Sequence, residues 1–181
     1  MTTQALPETS YIMPDGLDVH IRQALEKDLP GMEWDGEYAH FRRIYRQHYQ
    51  NSYNGTTLIW VAENEEGKII GQIFLLLFSN QSEIADGIHR AYVFSFRLKP
   101  EYRNKGLGSY MLKFVEDYLL GRGFDTLRIN VARNNILAKR LYERQGYTVV
   151  GPEEGHWRYQ DQFGRWQTVH EPAWRLLKKL K

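Results

Sequence analysis

The sequence predicts a mixed α/β fold, α+β in its order of elements, on a central sheet that is antiparallel in its first half and parallel in part of its second. Three observations predict it. Two β-rich runs flank a polar turn at residues 64–68, strand and helix patterns alternate as β-α-β-α-β over residues 90–150, and an aromatic, turn-punctuated segment closes the chain. At 181 residues the chain has the size of one domain with a full core, and its 42% hydrophobic and 25% charged residues are ordinary for a globular protein.

Residues 1–14 hold two prolines, several Thr and Ser and few aliphatics, so a flexible N-terminal arm is expected, with residues 15–181 forming a single domain. Residues 18–24 alternate as a short strand with Val19 and Ile21 on one side, and residues 25–30 read as a turn or helix start. Tyr38, Phe41, Tyr45 and His48 recur at helical spacing with arginines elsewhere around the wheel, which predicts an amphipathic helix over residues 37–49. Residues 58–63 and 69–78 form an antiparallel hairpin whose turn contains Gly67, able to take a positive φ. A polar loop at 79–87 leads to a strand at 90–98, closed by Pro100. Leu107, Met111, Val115 and Tyr118 then share one helical face, and Gly121 with Gly123 can end that helix. Leu127, Ile129 and Val131 alternate as a strand. Asn134 or Asn135 caps a further helix in which Ala138, Leu141 and Tyr142 share a side, and Gly146 ends it before a strand at 147–150. The remainder, with Trp157-Arg158-Tyr159, a turn at 160–164 and residues 166–177, reads as a long closing hairpin in which Pro172 forces an edge or a bulge.

Composition removes several functions. A formal charge of +2, with acids and bases interspersed, does not indicate nucleic-acid binding, and the one dense basic cluster, Lys178, Lys179 and Lys181, reads as a solvated tail. The absence of cysteine excludes disulfides, thiolate metal sites and a cysteine nucleophile, and agrees with a reducing compartment. The histidines, at 20, 40, 48, 89, 156 and 170, show no metal-ligand spacing, so no metal is expected. The N-terminal stretch has no basic region leading into an apolar segment, and the longest apolar run, residues 73–78, is too short for a bilayer, so a cytoplasmic protein without membrane contact is expected. The aromatics of residues 157–174 read as half-buried sheet packing or a homodimer contact rather than a base-stacking surface.

The most informative stretch is Arg103-Asn104-Lys105-Gly106-Leu107-Gly108, which follows a strand and opens a helix. Glycines there let consecutive N–H groups approach an anion, the helix start adds partial positive charge, and Arg103 and Lys105 add full charges. A nucleoside-triphosphate loop needs a Gly-Lys-Ser/Thr ending that the chain lacks, and the dinucleotide fingerprint needs Gly or Ala where Met111 stands. What remains, Arg-x-x-Gly-x-Gly directly after Pro100-Glu101-Tyr102, resembles the coenzyme A signature of the GNAT superfamily of N-acetyltransferases. A second motif, running from Asn135 through Ala138, Leu141, Tyr142 and Gly146 to Tyr147, is similar to that family's Asn-x-x-Ala-x-x-Leu-Tyr-x-x-x-Gly-Phe pattern.

The resemblance implies the GNAT fold: a mixed sheet of about seven strands, with a splayed parallel pair at the coenzyme site, flanked by about four helices. It implies acetyl-CoA as acyl donor, with backbone groups of Phe96, Arg97 and Leu98 binding the pantetheine arm and the backbone of Arg103, Asn104, Lys105, Gly106, Leu107 and Gly108 holding the pyrophosphate. Ser109 would offer a hydroxyl, and Asn135 would meet the coenzyme near its pantetheine arm. The side chains of Phe96 and Leu98 read as core packing.

For catalysis, Tyr142 is the candidate acid, because a phenol of ordinary pKa near 10 stays protonated at neutral pH and a thiolate leaving group of pKa about 8.5 can receive its proton. No carboxylate occurs in Ala91-Tyr92-Val93-Phe94-Ser95, where several relatives carry a glutamate. A water chain, or Glu33, Asp35 or Glu37, remains as the base, and the three acids also read as substrate ligands or as a solvated turn over Trp34. The expected activity is transfer of an acetyl group from acetyl-CoA to a primary amine in a ternary complex; the alternative is a non-catalytic CoA-binding regulatory module. Acceptor contacts are expected from residues 29–53 and 155–166, without a recognisable specificity motif.

Overall fold

The computed structural model describes residues 5–181. Its main sheet has eight strands in the order β1-β2-β3-β4-β5-β6-β10-β7: β1 (Thr9–Ile12), β2 (Asp18–Gln23), β3 (Thr57–Glu63), β4 (Ile69–Leu76), β5 (Arg90–Leu98), β6 (Thr126–Ala132), β7 (Thr148–Glu153) and β10 (Ala173–Lys179). The hairpin β8 (His156–Gln160) and β9 (Trp166–His170) stands apart as a second sheet. The described residues also form helices α1 (Arg42–Ser52), α2 (Leu107–Gly121) and α3 (Ile136–Arg144), with three 3₁₀ turns before α1 and one before α2. This is the mixed α/β fold that the sequence predicts. Among the described residues no helix is long and apolar enough to cross a membrane.

Alternation along the strands divides the core between two faces. Ile59, Val61 and Phe74 face α1, where Tyr45 and Met32 are buried with them. Trp60, Ile73, Leu75 and Val93 face α2, whose Leu107, Met111, Leu112, Val115 and Leu119 are fully buried. The Schellman-type pattern expected after α2 is present: Gly123 has φ 86°, and the Phe124 N–H bonds the Leu119 carbonyl at 3.0 Å. Glu116, buried on α2, accepts from the Tyr147 hydroxyl at 2.8 Å and from Lys178 Nζ at 2.6 Å, which ties the helix to the start of β7 and to β10.

Three expectations need correction. The supposed loose arm contains β1, paired to β2 from Thr9↔Ile21 to Ile12↔Asp18. Leu6 and Met13 are buried, and Trp60 Nε1 donates to the Pro7 carbonyl at 3.0 Å, so apolar burial and an indole partner hold a segment whose composition reads as flexible. Residues 1–4 of that arm lie outside the described residues. The first helix starts at Arg42 rather than 37, because Trp34, Asp35 and Gly36 take positive φ values of 48°, 57° and 102° and a further 3₁₀ turn (Ala39–Phe41) intervenes. The closing hairpin is also shorter than expected. It ends at His170, and after Pro172 the chain becomes β10, inserted antiparallel between β6 and β7 with Leu176 fully buried. A proline without an N–H ends one ladder, and an apolar strand finds two partners in the next.

The feature that positions the site is in β5. Its parallel pairing with β6 runs only from Arg90↔Thr126 to Val93↔Ile129. On its other side Gln72 pairs with Arg97 and Phe74 with Phe94, so Ser95 and Phe96 together oppose the single residue Ile73. Ser95 sits at φ 46° within this bulge. A bulge bends and twists its strand, and here the ladder between β5 and β6 ends at Val93, just before it.

Arg22 and Asp28 brace the other end of the sheet. Asp28 accepts from Arg22 Nη1 and Nη2 at 2.7 and 2.9 Å and from the Leu25 N–H at 2.7 Å. Burial alone would raise its pKa, but the Arg22 bonds and the Leu25 N–H outweigh it and hold the carboxyl below its ordinary value. With a folded-state pKa below the unfolded one, this contribution is present above about pH 4 and is lost as pH falls through the folded value. Asp28→Asn is expected to cost about 2–3 kcal/mol in denaturant unfolding at pH 7, and less at pH 3.

Candidate functional site

Residues 103–108 form a turn in which Asn104 and Gly106 take φ values of 58° and 86°. Gly106 is the residue before α2 and supplies no side-chain cap, so the first-turn N–H groups of α2 have no side-chain oxygen in front of them. A Cβ at Gly106 would collide with the Tyr11 hydroxyl, which donates to the Lys105 carbonyl at 2.9 Å. Of the two cations of the turn, Lys105 is ion-paired, and exposed Arg103 is held through Nε alone. Arg103 Nε donates to the Leu98 carbonyl at 2.7 Å, and Lys105 Nζ bonds Asp15 Oδ2 at 2.7 Å, a bond that also holds the Asp15 carboxyl below its ordinary pKa. The anion-binding potential of this turn therefore rests on its backbone, its helix start and the guanidinium of Arg103, whose Nη groups have no partner among the described residues.

Beside the turn, the part of β5 beyond Val93 has no strand partner on the β6 side. Phe96 and Leu98 turn toward α2 and lie 3.8 and 3.5 Å from where a Gly108 Cβ would stand, with Leu141 of α3 at 3.7 Å. Close packing of helix on strand thus accounts for a small residue at 108, and Leu107 is fully buried below it. The Leu98 carbonyl is already taken by Arg103, which leaves the backbone of residues 94–97 as the freer edge. Ser109 Oγ accepts from Gln145 Nε2 at 3.2 Å, which links α2 to the end of α3. Asn135 is the N-cap of α3, its Oδ1 accepting from the Ala138 N–H at 3.2 Å, so the residue called on for coenzyme contact also has a local structural role.

Tyr142 lies on the buried side of α3, its ring 6.0 Å from that of Tyr147. Burial first, and the nearby Tyr92 second, push its pKa well above the ordinary phenol value. The hydroxyl therefore holds its proton throughout the neutral range. Of the acids considered as bases, Glu33 is clamped by Arg42 Nε and Nη2 at 2.6 and 2.8 Å, while Asp35 and Glu37 are exposed on the turn above buried Trp34. None is drawn to Tyr142.

On the α1 face of β5 the structure assembles an aromatic wall that the sequence does not announce. Phe41 meets Trp157 and Tyr159 of the β8–β9 hairpin at centroid distances of 6.0 and 5.2 Å, which joins the two segments expected to form the acceptor side. Arg97 stands over Tyr38 and Phe41 at 4.4 and 5.3 Å and donates through Nη1 to Tyr45 Oη at 2.8 Å. Buried Gln72 donates to the same oxygen at 3.3 Å. His48 packs 4.7 Å from Phe94, and burial lowers its pKa to about 4, so its imidazole is neutral. Tyr45 and His48 belong to the apolar stripe read from helical spacing, a pattern that reports packing and carries no chemical signal. Among the described residues no group of three metal-ligating side chains stands together.

Comparison with known proteins identifies the family. Residues 21–147 match the model of the Acetyltransferase (GNAT) family, and the chain belongs to that family. An uncharacterised N-acetyltransferase, YdgE of Bacillus subtilis (strain 168), is 28% identical over 94 residues, which span 50% of this chain and 55% of that protein, about half its length. The ribosomal-protein-S18-alanine N-acetyltransferase of Escherichia coli superposes with a TM-score of 0.66 at 20% identity, covering 90% of this chain and 94% of that one. The spermidine/spermine N-acetyltransferase SpeG of Vibrio cholerae superposes at 0.64 and 17% identity, covering 90% and 92%. The fold is shared, while the acceptors in those names differ.

The family uses acetyl-CoA as donor, and a turn of positive-φ backbone before an uncapped helix, beside an unpaired strand edge, fits an extended arm joined to a pyrophosphate. Gly106→Ala forces an L side chain into a left-handed position and against Tyr11, and strain of this kind is on the order of 1–3 kcal/mol. Acetyl-CoA affinity measured by calorimetry is expected to fall about tenfold or more.

Proposed function

We propose that the chain is an N-acetyltransferase that moves the acetyl group of acetyl-CoA to a primary amine by direct attack in a ternary complex. The single observation that carries this reading is the convergence of three elements: the β5 edge freed by the Ser95 bulge, the glycine-started helix α2, and α3 with its buried Tyr142. Family membership and both sequence motifs support it.

In this reading acetyl-CoA supplies an activated acyl group as a thioester. The backbone of residues 94–97 lines the pantetheine arm beside the Phe96, Arg97 and Leu98 positions, and the backbone of residues 103–108 meets the pyrophosphate, with Ser109 at the mouth of α2. Asn135 keeps its cap and, being exposed, offers its amide N–H groups to the coenzyme near the pantetheine arm. The amine nitrogen forms the new C–N bond as the C–S bond breaks. Tyr142 offers its proton to the sulfur, and the ammonium's proton leaves by way of water, since the nearby acids are either paired or exposed. The absence of cysteine removes a cysteinyl acyl-enzyme route. Tyr142 remains protonated because of its burial, so its proton is present at the pH where the amine is increasingly deprotonated.

Acetyl-CoA at about 100 times its dissociation constant is expected to stabilise the protein by roughly 2.7 kcal/mol in thermal unfolding, and no shift would refute the donor assignment. With an accepted amine, Tyr142→Phe is expected to lower kcat by about 10² to 10⁴ while acetyl-CoA still binds. Unchanged thiol release in the variant would remove Tyr142 from the chemistry. Binding without turnover across a broad amine panel would favour the CoA-binding module instead.

A further inference from the structure

Arg97 carries a charge that no neighbour balances. Its guanidinium is half-buried, framed by Tyr38 and Phe41, and held by Nη1 to the Tyr45 hydroxyl, which Gln72 supports from behind. Among the described residues no carboxylate lies within 4 Å of it, whereas the similarly half-buried Arg22 reaches both Asp28 and Glu63. The acids nearest in sequence to its aromatic frame do not serve it: Glu33 belongs to Arg42, and Asp35 and Glu37 are exposed on the preceding turn. With Nη1 committed to Tyr45, the Nε and Nη2 edge of the planar group makes no hydrogen bond among the described residues. That edge matches the two oxygens of a carboxylate, the pairing for which a guanidinium is best shaped.

Position gives the free edge a use. Arg97 directly follows the Ser95–Phe96 bulge, in the part of β5 that has left β6, and its side chain lies on the face opposite α2, the face that Phe41, Trp157 and Tyr159 wall in. Backbone and side chain of one residue thus serve the two sides of the strand: the backbone borders the donor edge, and the guanidinium looks into the acceptor side. Resting on the acetyltransferase reading above, we infer that the acceptor amine also carries a carboxylate, seated on the Nε/Nη2 edge of Arg97. The same charge disfavours acceptors with a second cationic group, such as polyamines, in a partly desolvated site.

The test is a panel of the common amino acids, each paired with its carboxamide, together with spermidine, assayed by CoA release with wild type, Arg97→Gln and Tyr45→Phe. Wild type is expected to favour the carboxylate member of an accepted pair at least tenfold in kcat/KM and to leave spermidine nearly untouched. Arg97→Gln is expected to erase most of that ratio through KM for the carboxylate member. Tyr45→Phe, which frees the guanidinium without removing its charge, is expected to narrow the ratio severalfold and provides a second reading if Arg97→Gln folds poorly. Preference for carboxamides or spermidine, or a wild-type ratio unchanged in both variants, overturns the inference. So does an absence of turnover with every panel member while acetyl-CoA binding persists. Loss of acetyl-CoA binding by the wild type itself would instead strike the donor reading.

Discussion

Ser95 sits at a positive φ in a strand whose neighbours on both sides would otherwise pair with it throughout. One extra residue against Ile73 turns β5 away from β6 after only a short parallel ladder. The rest of the site depends on that separation. It leaves backbone groups without a strand partner on one side, and it reverses the alternation so that Phe96 and Leu98 pack toward α2 while Arg97 reaches the α1 face. Without the bulge, every side chain beyond it would change face.

The turn before α2 is held by packing from an unexpected quarter. Tyr11 of β1 bonds the Lys105 carbonyl, Asp15 takes the Lys105 ammonium, and the Thr9 hydroxyl and Tyr110 hydroxyl lie 2.6 Å apart. The first strand therefore braces the start of α2, and of the two cations that look like phosphate ligands in the sequence, Lys105 is paired with Asp15 while Arg103 is held only through Nε to the Leu98 carbonyl. Preorganised amides at a helix start are a weaker attraction than free charges, but they have a fixed direction.

The fold was legible to the extent that local pattern determines it. The hairpin around Gly67, the strands β5 and β6, and the glycine-terminated helix α2 all follow from periodicity and turn chemistry, and the two motifs identified the family. The β1 strand was not legible, since Thr, Ser and proline are as common in loops as at a sheet edge, and its support comes from Trp60 and Tyr110, far along the chain. The route of β10 was equally hidden: residues 166–177 read as one closing hairpin and Lys178 with Lys179 as a solvated tail, whereas both lysines lie in β10 and Lys178 reaches buried Glu116, because no local pattern says which gap in the sheet will receive a strand.

The sequence by itself determined the class of the protein, because glycine spacing at a helix start and the Asn135 to Tyr147 pattern are local constraints written in neighbouring residues. Only the tertiary structure decided what those residues face. Lys105 found Asp15, Arg103 Nε found a carbonyl of β5, and Arg97 emerged as a cation without a counter-ion among the aromatics of α1 and the β8–β9 hairpin. Charge balance and burial are sums over residues distant in sequence, and they take a value only when the chain has brought those residues together.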